Sequence, residues 1–185
     1  EAARRGPVDS FDHARSLGLS GLFFRTVLDL SPTLDRGALR AIRAKADALG
    51  MYMEIGLSKV NPFALAEAPE IRRLGDGDTL LGFRRMMEAC AHIGCREAWV
   101  ALCNYKPAFP GKFSTDRFRT DVDWADQLVA TEKFLKKLAP IARDLGLHMN
   151  LETHEELTSF EVVRLVERVG PDAMGIVFDT ANVLQ

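Results

Sequence analysis

The apolar positions along the chain keep two alternating rhythms. One steps by three and four, the period of a helix; the other is a short apolar run, the mark of a strand. Phe11, Ala14 and Leu17 make the first helical stripe, with Ser10 placed to cap it and Gly18 to end it. Gly21 to Thr26 reads as a strand, with Leu22, Phe23 and Phe24 expected to be buried on both faces. Asp35 can cap a second helix carrying Leu39, Ile42, Ala46 and Leu49, which Gly50 closes. Met51 to Ile55 is the next strand, and Glu54 to Pro62 reads as its exit into a polar loop punctuated by Gly and Pro. Leu81, Met86, Met87, Cys90 and Ile93 lie on a third helix ended by Gly94, and Ala98 to Cys103 is a further strand.

Asn104 to Asp121 is then long, aromatic and basic, which suits either a functional loop or a solvated surface excursion. A long helix follows over Val122 to Leu145, with Leu128, Phe134 (or Leu135), Leu138, Ile141 and Leu145 as its apolar face. Pro140 inside it predicts a kink or a break.

From His148 the pattern sharpens. His148-Met149-Asn150-Leu151-Glu152-Thr153-His154 and Gly175-Ile176-Val177-Phe178-Asp179-Thr180-Ala181-Asn182 are apolar runs that each end in a carboxylate. Strand alternation puts Asn150 and Glu152 on one face, and likewise Val177 and Asp179. Between them Thr158 and Glu161 spell a capping box, Val162, Val163, Val166 and Val169 form a stripe, and Gly170-Pro171 stops the helix. Asp179 follows Glu152 by about one strand–helix unit, so their strands are expected to be parallel neighbours with both carboxylates at one rim.

Leu17-Gly18, Leu49-Gly50, Ile93-Gly94, Leu145-Gly146 and Val169-Gly170 each close a helix shortly before a strand. Helices alternating with strands imply right-handed βαβ units and a parallel sheet, that is, an α/β fold. A doubly wound open sheet would carry a Gly-rich phosphate turn, and neither G-x-G-x-x-G nor a P-loop is present. Polar residues at strand ends (Arg25, Glu54, Asn104, Glu152, Asp179) favour a (β/α)8 TIM barrel instead.

Composition narrows the partners. The 185 residues are 47% hydrophobic and 27% charged, with net charge -2, which gives no basis for binding nucleic acid or a membrane surface. No apolar run approaches the ~20 residues that span a bilayer, and no secretory signal opens the chain. Cys90, Cys95 and Cys103 show no metal or redox spacing, and an odd count fits reduced thiols in a cytoplasmic protein. One domain over residues 1–185 is expected.

At Leu151-Glu152-Thr153-His154 and Phe178-Asp179-Thr180-Ala181-Asn182 the chain resembles the xylose-isomerase-like sugar phosphate isomerase/epimerase superfamily of TIM barrels. That resemblance implies an incomplete barrel, about strands 2 to 6, with strand 1 before Glu1 and strands 7 and 8 after Gln185. It further implies one divalent ion, Mn2+ or Mg2+, with Glu152 and Asp179 as the first two of four ligands. A His and a Glu would follow on the last two strands. Such an ion grips adjacent sugar oxygens and stabilises the enediolate left when the carbon between them loses a proton. The implied activity is isomerisation or epimerisation of a sugar or polyol, with Glu152 and His154 as catalytic residues. Glu54, Lys59, Asn104 and Asn182 are candidate substrate contacts. A homo-oligomer is compatible with this reading.

Two positions depart from the ketose 3-epimerase pattern. Thr158 stands where a second glutamate is expected, and Asn182 stands where a histidine is expected. The Glu-x-His and Asp-x-x-Asn pairs look more like the branch holding inosose dehydratases, so a lyase is the alternative. An apurinic-site endonuclease, built on the same barrel, needs more histidines than His13, His92, His148 and His154 supply. A non-catalytic barrel would leave Glu152 and Asp179 as helix-capping carboxylates and His154 as an ordinary loop residue.

Overall fold

The computed structural model describes residues 6–65, 68–102 and 116–183. Among them five strands form one parallel sheet in sequence order: β1 (Gly21–Phe24), β2 (Tyr52–Lys59), β3 (Glu97–Ala101), β4 (His148–Glu152) and β5 (Met174–Val177). The helices are α1 (Pro7–Ser16), α2 (Arg36–Ala48), α3 (Pro69–Leu74), α4 (Thr79–His92), α5 (Trp124–Leu145), α6 (Ser159–Val169) and α7 (Thr180–Val183). Each strand pairs only with its sequence neighbours, as in an arc of a (β/α)8 barrel.

The core lies between the strands and the helices. Met53, Ile55, Leu57, Ala98, Val100, Met149 and Leu151 pack on Phe11, Leu39, Phe83, Met86, Leu135, Leu138 and Val162. The alternate strand residues form the opposite face, and many of them are exposed. Phe23 is 46% exposed and Tyr52 57%, so the expectation that β1 is buried on both faces fails. This face is concave and lies open, whereas the helix face is dry.

Several local expectations change. Ser10 sits inside α1, its hydroxyl donating to the Gly6 carbonyl at 3.0 Å, while Gly6 is the N-cap and Pro7 opens the helix. Helix α3, which the apolar rhythm did not announce, fills the stretch before α4. Strand β2 runs on to Lys59 instead of ending at Ile55, so Glu54 and Lys59 are strand residues rather than loop residues. In α5 the buried stripe is Gln127, Thr131, Leu135, Leu138, Ala139 and Ala142, with Leu128, Phe134, Ile141 and Leu145 on its flanks. Gln127 is tolerated there because it accepts from the Asn61 amide at 2.8 Å. The helix continues through Pro140, which is exposed on the same side as Lys136, so the carbonyl freed by proline can meet water. In α6 Leu165 replaces the exposed Val163 in the stripe, and the Thr158–Glu161 capping box forms as expected.

Candidate functional site

Strand register decides which side chains meet on the concave face. Trp99 pairs with Asn150, and Glu152 with Val177. Paired residues in parallel strands point the same way, so Trp99, Asn150, Glu152 and Val177 share a face. Together with Phe23, Tyr52, Glu54, Glu97, Phe178 and Asp179 they line a cleft of about 830 Å3. Its lining mixes aromatic rings (Phe23, Tyr52, Trp99 and Phe178) with charged groups that include Glu54 on β2, Arg96 and Glu97 at the start of β3, Glu152 on β4 and Asp179 past β5.

Glu152 is half-buried at the C-terminal end of β4. Burial raises its pKa, and the nearby charge of Asp179 adds to that. His154 and Lys59 oppose the shift through their charges, and the Trp99 indole opposes it as a hydrogen-bond donor. A carboxylate in this setting accepts a cation or a proton readily.

Asp179 lies just past β5, and its backbone ties the two strand ends together. Its amide donates to the Thr153 hydroxyl at 2.9 Å, and that hydroxyl also lies 3.3 Å from the Asp179 carbonyl. One carboxylate oxygen accepts from the Ala181 amide at 2.9 Å, and the other from the Asn182 side chain at 2.8 Å. Asp179 thus caps the start of α7 while facing the cleft beside Glu152. Asn182 holds the Asp179 carboxylate.

His154 sits two residues beyond Glu152 and pairs through Nδ1 with Glu156, a fully buried carboxylate. Burial by itself lowers the His154 pKa, but the hydrogen bond and charge of Glu156 outweigh it and raise the imidazole above its ordinary value. Lys59 is buried at the end of β2, with its Nζ 5.1 Å from the centre of the Trp99 ring. Glu54 is exposed along the cleft wall, two residues before Gly56. Asn104 lies outside the described residues.

Of the expected site residues, Glu54, Glu152 and Asp179 line the cleft, while Asn182, His154 and Lys59 act on them from its edge. Trp99 and Glu156 were not anticipated. Trp99 could have been found by carrying the alternation of β3 across to Asn150. Glu156 repeats the two-residue step that separates Glu152 from His154.

Two oxygen donors from neighbouring strand ends suit a hard divalent ion in charge and donor type. Among the described residues no three His, Cys, Asp or Glu side chains gather closely enough to hold a metal by themselves. Nor is any described helix long and apolar enough to cross a membrane.

A family model described as xylose isomerase-like TIM barrel matches residues 11–185. No curated protein matches the sequence significantly. Solved structures share the fold at low identity. D-psicose 3-epimerase from Clostridium cellulolyticum H10, solved with D-tagatose, superposes with a TM-score of 0.71 at 16% identity, covering 98% of this chain and 60% of that one. The 3-keto-D-glucoside 4-epimerase of E. coli, in its apo form, gives 0.70 at 16% identity, covering 97% and 65%. A xylose isomerase-like TIM barrel protein from Mycobacterium smegmatis, in complex with magnesium, gives 0.66 at 16% identity, covering 98% and 59%. The chain spans about three fifths of the length of these structures.

Proposed function

That the chain belongs to the xylose isomerase-like TIM barrel family is the premise from which we propose a metal-assisted sugar or polyol isomerase or epimerase. The observation that carries the proposal is the pairing of Glu152 and Asp179. They stand at the ends of adjacent parallel strands, face one cleft, and are joined by the Thr153 bridge. Similar folds bear the names of sugar epimerases, and one was solved with magnesium.

In this reading Glu152 and Asp179 hold Mn2+ or Mg2+, which supplies positive charge against the substrate oxygen that turns negative as a neighbouring C–H bond breaks. Glu152 takes the proton from that carbon and returns it on the same face to the adjacent carbon, which gives isomerisation; epimerisation would draw the returning proton from a second donor on the opposite face. His154, oriented by Glu156, moves a proton at the substrate oxygen. Asn182 keeps Asp179 in place, and Phe23, Tyr52, Trp99 and Phe178 give the apolar wall for the sugar's C–H surface.

Proton NMR in D2O with Mn2+ or Mg2+ and a panel of ketoses and inososes tests the proposal. Solvent deuterium at the carbon beside the carbonyl, with the molecular formula retained, is the expected result, and Glu152→Gln abolishes it. Loss of water would move the assignment to a lyase of the inosose-dehydratase type, which starts with the same proton removal. No exchange with any member of the panel would refute both.

A further inference from the structure

A short helical turn, Asp116–Phe118, lies near the end of the aromatic, basic stretch between β3 and α5. Its Arg117 crosses to the turn after β4, the one that carries His154 and Glu156. Arg117 Nη1 donates to the Glu156 carbonyl at 2.6 Å and to the Glu161 carboxylate at 3.1 Å. The guanidinium also lies 5.1 Å from the centre of the Trp124 ring. The Trp124 indole donates to Glu161 at 2.8 Å, and Thr158 donates to the same carboxylate from its amide at 2.8 Å and its hydroxyl at 2.9 Å. Arg117 is therefore fixed from two sides, by an aromatic face and by a carboxylate that is itself held.

The contact with the Glu156 carbonyl gains its meaning from the next amide. The Leu157 N–H donates to the His154 carbonyl at 2.9 Å and closes a turn over residues 154–157. The Glu156–Leu157 peptide is thus bonded at both ends, its oxygen to Arg117 and its N–H to His154. A planar peptide held in this way resists rotation about the bonds that flank it, so the Cα of Glu156 is aimed. The Glu156 side chain is fully buried and meets His154 Nδ1. A carboxylate can only accept, so Nδ1 carries the proton, and Nε2 is left as the nitrogen for a substrate proton.

We propose that Arg117 is a positioning residue for His154: by holding the Glu156 carbonyl it fixes the turn that aims the Glu156 carboxylate at the His154 ring. The segment before α5 then serves the site through one guanidinium. Arg119 secures the same segment on its other flank, donating to the Phe63 carbonyl at 3.3 Å and lying 5.8 Å from the centre of the Phe63 ring. That His154 acts on substrate rests on the reading given above; the hold on its ring does not.

The test uses the intact protein, labelled uniformly with 15N and held at one neutral pH. Four histidines give four imidazoles, and His154→Asn assigns one of them by its disappearance. In wild type the His154 Nδ1 proton lies far downfield and exchanges slowly with solvent. Arg117→Met keeps an apolar stem against Trp124 and removes the donors. In that variant the Nδ1 proton and the Leu157 amide each exchange at least about tenfold faster, the scale set by losing a hydrogen bond to a charged group. Arg119→Met, which loosens the same segment on its other flank, leaves both at wild-type rates. Far-UV circular dichroism checks that each variant is folded. Should Arg117→Met fail that check, Arg117→Lys gives the same change in weaker form, because its ammonium ends one bond short of Nη1. In the deuterium-incorporation assay Arg117→Met lowers kcat by about tenfold or more and leaves KM within about twofold, since a misplaced acid or base costs rate rather than binding. An Nδ1 proton that ignores Arg117→Met overturns the proposal. So does an equal loss in Arg119→Met, or an unchanged kcat in Arg117→Met. If wild type exchanges no substrate proton while the imidazole responds as stated, the catalytic reading of His154 fails and its positioning by Arg117 stands.

Discussion

Replacing Gly56 by alanine tests how tightly the Trp99 ring and the end of β1 close on β2. The new methyl would meet the Arg25 carbonyl oxygen well inside contact distance and Trp99 Cε3 at 2.6 Å. The first obstacle is backbone and cannot rotate away; the second is pinned by Lys59 and Phe23. Overpacking in rigid surroundings costs about 1–3 kcal/mol, and the backbone clash puts this case at the upper end. Lower entropy of the unfolded chain returns about 0.4–1 kcal/mol. The expected net destabilisation is about 2 kcal/mol. With a urea slope of roughly 2–3 kcal/mol/M, the unfolding midpoint falls by about 0.7–1 M. Gly37→Ala is the control: it lies in the first turn of α2, and its nearest new neighbour is an Asp35 oxygen at 3.2 Å. It should raise stability by about 0.4–1 kcal/mol, because alanine lowers the entropy of the unfolded chain without a backbone clash. Equal midpoints for Gly56→Ala and wild type, measured by circular dichroism, would refute the packing argument.

Thr158→Ala removes the capping box at the start of α6, in which Thr158 and Glu161 satisfy each other's amides, and should cost about 1 kcal/mol; a melting temperature within error of wild type would contradict this. Glu156→Gln should lower the His154 pKa, because the carboxylate is what raises it against burial. Since the folded-state pKa is raised, the stability this pair gives is full below the ordinary histidine range and fades as pH climbs through the raised value. NMR titration of His154 in both proteins checks the sign, and an unchanged pKa in Glu156→Gln would sink the pairing.

Much of the fold is legible because its signals are local. The Leu-Gly and Val-Gly helix ends, the Asp35 cap and the Thr158–Glu161 box depend on a few consecutive residues, and each appears where the chain spells it. The two strand-end acids are equally local, since each apolar run stops at its carboxylate. Features set by partners across the sheet stayed hidden. Gly56 and Ser58 look like loop punctuation until β3 supplies the register that makes them a bulge. Gln127 and Thr131 look like surface residues of α5, although both are fully buried and Gln127 is matched by Asn61, far away in the chain. Phe23 and Tyr52 look like core, yet the face they occupy is open. Glu156 is invisible as a site residue until the turn after β4 folds it under His154.

The claim on which the account turns is that Glu152 and Asp179 share one divalent ion. Calorimetric titration of Mn2+ into the intact protein tests it through Glu152→Gln, Asp179→Asn and the double variant. If both carboxylates hold the same ion, each single change removes most of the binding and the double variant is scarcely worse than either. Full Mn2+ affinity in Glu152→Gln, or losses that simply add in the double variant, would contradict a shared site.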